Sequence, residues 1–156
     1  MFAQLDELAR DHPEQLATVW DRLATFLEVH ADAEEQLFYP RLLEVGHGAA
    51  DADDAEEETE DAIGDHNDIR DAIRRARGHA VGTDEWTQAV ADARRANSDH
   101  MAEEERQALS DFRRHTDIAE RHELGARFAG FETANFHGVD SENQDPDEYV
   151  REVSRG

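Results

Sequence analysis

The chain has 156 residues, 38% hydrophobic and 35% charged, which is enough apolar material for one core. It contains no cysteine, so disulfides, zinc thiolates, iron–sulfur clusters and thiol nucleophiles are excluded. The net charge is −23 and all 16 basic residues are arginine, which makes nucleic acid or an anionic membrane surface a poor partner.

No run approaches the length of a membrane span and the N-terminus carries no signal pattern, so the cytoplasm is the expected location. The excess acid is expected as a solvated surface.

Apolar positions recur with helical spacing and strand-like alternation is absent. Residues 2–10 read as a short helix with Phe2, Leu5 and Leu8 on one face, closed by Asp11-His12-Pro13 because proline disfavours helix just before it. Residues 14–45 read as a long helix with a bend at Pro40, ended by Gly46-His47-Gly48. An acidic run over 51–61 leads into a helix reaching Arg77, with Gly78 as its stop. Thr83 is the expected N-cap of a helix running to His115. A further helix over 117–136 carries Leu124, Phe128, Phe131 and Phe136. Beyond Gly138 the chain reads as a loose polar tail with a short helical turn at 147–153. The expected fold is all-α: an up-down-up-down four-helix bundle with a short first helix over residues 1–115, then a helical extension and polar tail over 116–156.

Each long helix has an apolar stripe interrupted by residues that can bind metal. The first stripe reads Leu16, Val19, Leu23, Phe26, His30, Glu34, Leu37. The second reads Ala62, His66, Ile69, Ile73, Ala76, and the third Trp86, Val90, Ala93, Asn97, His100, Glu104, Ala108. At about 1.5 Å per residue, the three histidines fall within one or two turns of a common level. Ionised carboxylates buried without a partner are very costly, so two glutamates and three histidines in one core point to a cation. A histidine and a glutamate four residues apart can address one metal, and that pair occurs twice, as His30/Glu34 and His100/Glu104. On this reading Glu35, one position further round its helix, is expected to face away.

Three segments carry a family resemblance: His30-Ala-Asp-Ala-Glu34-Glu-Gln-Leu-Phe-Tyr-Pro40, Gly64-Asp-His66-Asn-Asp-Ile-Arg70, and His100-Met-Ala-Glu-Glu104-Glu. With these the sequence resembles the hemerythrin-like HHE cation-binding family over roughly residues 1–115. The resemblance implies a four-helix bundle with a non-haem di-iron centre. Glu34 and Glu104 match its bridging carboxylates, and His30, His66 and His100 its terminal ligands. Iron suits carboxylate and imidazole donors.

Three departures stand out. The family's first-helix histidine would fall ahead of Met1, so either the chain starts late or it lacks that ligand; His12 lies about 27 Å too far along the helix direction. A position that holds a second ligand in some members is Arg70, and the proline after the last ligand pair is Ser110, which should let the fourth helix continue. The remaining histidines, His47, His79, His115, His122 and His137 with His12, read as surface or boundary residues. Tyr39 has two readings: a phenol that hydrogen-bonds oxygen or peroxide at the metal, or a packing aromatic.

The function expected from this set is a di-iron protein that binds dioxygen, nitric oxide or iron for sensing, storage or stress defence. A peroxide-decomposing, catalase-like enzyme and a metal-degenerate interaction bundle are the alternatives. The expected partners are a small diatomic or peroxide ligand and a second copy of the chain, the latter through a thinly covered end around Phe38 and Tyr39. No catalytic triad, phosphate loop or dinucleotide fingerprint is present.

Overall fold

A computed structural model describes residues 2–8 and 13–155. The expected turn at Asp11-His12, and with it His12, lies outside the described residues. Those described form helices and connecting loops with no strand. The helices are α1 (Phe2–Glu7), α2 (Pro13–Ala33), α3 (Tyr39–Val45), α4 (Ala55–Arg77), α5 (Asp84–Arg106), α6 (Ala108–His115), α7 (Ile118–Ala134) and α8 (Pro146–Val153). A π-helical turn, Glu34–Phe38, joins α2 to α3. No helix among the described residues is long and apolar enough to cross a membrane.

The bundle is all-α, as expected, with α4 and α5 as its most extensive pair. The Asp54 carboxylate caps α4 by accepting from Glu56 N and Glu57 N, each at 3.0 Å. Thr83 Oγ1 caps α5 by accepting from Trp86 N at 3.2 Å. Glu56, Glu57 and Glu58 in the first turn of α4, and Arg74, Arg75 and Arg77 in its last, complement the helix dipole.

Two apolar clusters sandwich a polar layer. One gathers Leu16, Trp20, Leu23 and Leu27 of α2 with Ile69 and Ile73 of α4 and Trp86 of α5. The other gathers Phe38, Tyr39, Leu42, Ile63 and Phe112 with Tyr149 and Val150 of α8. The ligand-type residues of α2, α4 and α5 fall between the two in every case.

Several expectations need correction. The inner face of α2 runs through Trp20, Leu27 and Ala31, with Val19 at its edge and Phe26 off it, 46% exposed. The stripe is rotated, so His30 sits on the flank of the bundle. The disturbance near Pro40 is the widened turn ahead of it, where Tyr39 N–H bonds to the Glu34 carbonyl five residues back. Proline lacks an N–H and its ring crowds the carbonyl four residues earlier, and a widened turn relieves both. The fourth helix does not continue to His115: Gln107 (φ −99°, ψ −93°) breaks it into α5 and α6 despite Ser110. Phe38 and Tyr39 are covered by Phe112 and α8, at 5% and 0% exposure, so no thin apolar end is left there.

The tail is not loose either. α8 packs on α4, burying Tyr149 and Val150, and the Tyr149 hydroxyl donates to the Glu35 carbonyl. Tyr149→Ala should cost about 3 kcal/mol through the cavity left, and Tyr149→Phe about 1 kcal/mol through the lost hydrogen bond. Urea unfolding of the two variants checks this ordering.

Candidate metal centre

Glu34 is the hub of the polar layer and is 4% exposed. Its Oε2 lies 3.0 Å from His66 Nε2 and 3.6 Å from His100 Nε2. Its Oε1 lies 3.1 Å from His30 Nε2. One carboxylate therefore faces two imidazoles on one side and a third on the other. The His66 and His100 Nε2 atoms stand 3.3 Å apart.

Each imidazole has a second carboxylate behind it. His66 Nδ1 is 2.8 Å from Glu35 Oε1, His30 Nδ1 is 2.8 Å from Glu132 Oε1, and His100 Nδ1 is 3.5 Å from Asp65 Oδ2. A carboxylate at Nδ1 fixes the tautomer with its proton on the outer nitrogen and turns the Nε2 lone pair inward. All three Nε2 atoms point at Glu34.

The expectation that Glu35 faces away is overturned. The π-helical turn inserts an extra residue into the helix, so Glu34 and Glu35 both point inward, and Glu35 is 4% exposed. Arg70 is buried beside it, with Nη2 2.9 Å from Glu35 Oε1 and Nε donating to Ser141 Oγ at 2.7 Å. Gln144 Nε2 also donates to Glu35. The two charges compensate one another, and the tail supplies part of their hydrogen bonding.

Glu104 and Tyr39 form the remaining edge. The Tyr39 hydroxyl donates to Glu104 Oε1 at 3.4 Å, and the Tyr39 ring packs 5.9 Å from that of His66. Burial, then the charge of Glu34, pushes Glu104 up to about 7. Burial, then the charges of Glu34 and Glu104, holds the Tyr39 phenol well above its usual range, so it stays protonated. Burial disfavours the charged form of Glu34, but hydrogen bonds from His100, His30 and His66 outweigh that and hold it well below the usual carboxylate range.

The donor set fits a metal ion. Donors bound to one ion at about 2.0–2.2 Å stand roughly 3.0–3.6 Å from one another in tetrahedral or octahedral shells. The separations among Glu34, His66 and His100 are 3.0, 3.3 and 3.6 Å. One donor atom from each of the three lies within 4.8 Å of the others. His30 and Glu104 stand outside that set, His30 half-buried with its ring against Phe26 and Phe128.

A helical bundle whose core holds imidazoles and carboxylates between two apolar layers defines a cation-binding protein. The family model described as the hemerythrin HHE cation binding domain matches residues 1–112, and the chain belongs to that family. No curated protein and no solved structure shows a match to it.

The imidazoles give the metal-free protein a distinct pH response. Burial would lower His30 and His100, but hydrogen bonds to Glu34, with Glu132 for His30 and Asp65 for His100, raise them from 6.5 to about 9 and about 10. Both folded values lie above the unfolded one. Their contribution is complete below pH 6.5 and is lost as pH rises through about 9 to 10. The thermal midpoint in excess chelator should therefore fall on going from about pH 7 to about pH 10.5, and less steeply in His100→Gln.

Glu35→Ala leaves the Arg70 guanidinium buried without its carboxylate. A stability loss of about 3–5 kcal/mol is expected in chemical denaturation, with a smaller loss for Glu35→Gln.

Proposed function

We propose that this protein is a non-haem iron protein with two unequal ion positions that share Glu34. The observation that carries the reading is the three imidazoles, each with its Nε2 aimed at Glu34 and a separate carboxylate on its Nδ1. A surface ion pair needs no such outer shell, whereas a metal-binding imidazole is ordinarily oriented by one.

His66, His100 and Glu34 Oε2 form the better-furnished position. His30, Glu34 Oε1 and Glu104 form the poorer one, which has a single imidazole and is half open. Bound iron would supply coordination of, and electron exchange with, dioxygen, nitric oxide or a related small ligand. The residues of this chain do the rest. Glu35, Asp65 and Glu132 hold the imidazoles in place, and the two apolar clusters limit water on either side. Tyr39 keeps its proton and donates a hydrogen bond to Glu104, from where it can steady charge at the metal edge. The peroxide-decomposing alternative draws on one feature, the opening beside His30, Glu34 and Glu104. Oxygen evolution from added peroxide would single it out.

Iron titration of chelator-stripped protein should show one ion held tightly and a second at least about tenfold more weakly. His66→Ala and His100→Ala should lose the tight ion, His30→Ala only the weak one, and Glu34→Ala most of both along with metal-dependent thermal stabilisation. Two equally tight ions would refute the asymmetry, and no retained metal would refute the reading itself.

A further inference from the structure

The family match ends at residue 112, yet the next helix forms a wall of the metal layer. α7 packs on α2 and on the π-helical turn, closing the side of the bundle between α2 and α5–α6. It does not close it tightly. None of its residues is buried, and a cavity of about 390 Å³ remains beneath it.

That volume, open on one side, leaves room for more than a diatomic. A water occupies about 30 Å³ and a diatomic is of similar bulk, whereas sites for organic ligands begin near 300 Å³. The cavity has about ten times the room that a diatomic needs. Its walls are chiefly apolar: Leu109 and Phe112 of α6, Leu124 and Phe128 of α7, and Phe38. One end reaches His30, Glu34 and Glu104.

The other end carries Arg121. Its Nη1 donates to the carbonyls of Arg113 at 3.2 Å and Thr116 at 2.5 Å, which fixes the guanidinium at the corner between α6 and α7. Arg41 and Arg70 each sit against a carboxylate, but Arg121 has none at ion-pair distance among the described residues. In a chain of net charge −23, Arg121 is thus a half-buried arginine lining an apolar cavity with no acid at ion-pair distance among the described residues. Phe128, which packs on His30, lies seven residues further along α7, or about 10 Å.

We infer that this cavity binds an organic monocarboxylate with an apolar body about 10 Å long, its head group on Arg121 and its far end beside His30, Glu34 and Glu104. The placement of that far end rests on the metal-site reading above; the binding itself does not. The imidazoles at the far end already face Glu34, whereas Arg121 has no carboxylate at ion-pair distance, which sets the orientation.

The test uses the full chain, stripped and iron-loaded, with octanoate, octan-1-ol and octylamine as probes in calorimetric titration. Octanoate should bind saturably to both forms, and more tightly than either other probe. Arg121→Gln should weaken octanoate at least tenfold and leave octan-1-ol nearly unchanged. Gly125→Leu is the blocking variant: Gly125 lines the cavity, and a Cβ there would meet nothing within 4 Å. Leucine suits a helix better than glycine, so the helical circular dichroism should persist while probe binding is lost. The inference is overturned by no saturable octanoate binding at millimolar concentration, by octylamine binding as tightly as octanoate, or by Gly125→Leu binding like the parent. Arg121-dependent octanoate binding by a chain that holds no iron would uphold the pocket and refute the metal reading. Iron retained without octanoate binding would do the reverse.

Discussion

The structure depends on one buried carboxylate. Glu34 lies in the middle of a helical core, where an ionised group without partners would cost several kcal/mol or more. Three imidazole nitrogens at 3.0, 3.1 and 3.6 Å supply those partners. The imidazoles would in turn be misdirected without Glu35, Asp65 and Glu132 behind them. The polar layer is therefore a closed arrangement of charges, with an apolar cluster on each side keeping its dielectric low. A cation placed among the inner donors would take over the role that protons on the imidazoles play in its absence.

That layer draws on the whole chain. α2 and the π-helical turn give the hub and one imidazole, and α4 and α5 give the other two. α7 contributes Glu132 behind His30, and Ser141, Gln144 and Tyr149 brace Glu35 and Arg70. The segment after residue 112 is thus bound to the site although it lies outside the family match. α7 lies over the other side of the bundle, with a cavity beneath. The two sides of Glu34 differ for that reason: one is enclosed by α4 and α5, the other faces a looser wall.

Much of this was legible in the sequence. The stripes of α4 and α5, with His66 and His100 at inward positions, follow from a period of 3.6 in unbroken helices, and the structure buries both residues. The four-residue spacing of His30 and Glu34 and the capping residue Thr83 could be read in the same way, because each is a local property of one helix. A carboxylate directly after Glu34 was the only signal for Glu35, and a regular helix turns that residue away.

Tertiary structure decided the remainder. The π-helical turn changed the helical phase by one residue and brought Glu35 inward, something no fixed period anticipates. The pairing of Glu35 with Arg70 joins residues on different helices, and that of His30 with Glu132 joins residues 102 apart in sequence. The burial of Tyr149 depends on α8 docking on α4 and reaching the π-helical turn, which happens only once the chain is folded. Sequence determined which residues share a face within one helix, since backbone geometry sets that over a few turns. Which faces meet, and which charges neutralise one another, was fixed only by packing, because those energies arise between segments distant in the chain.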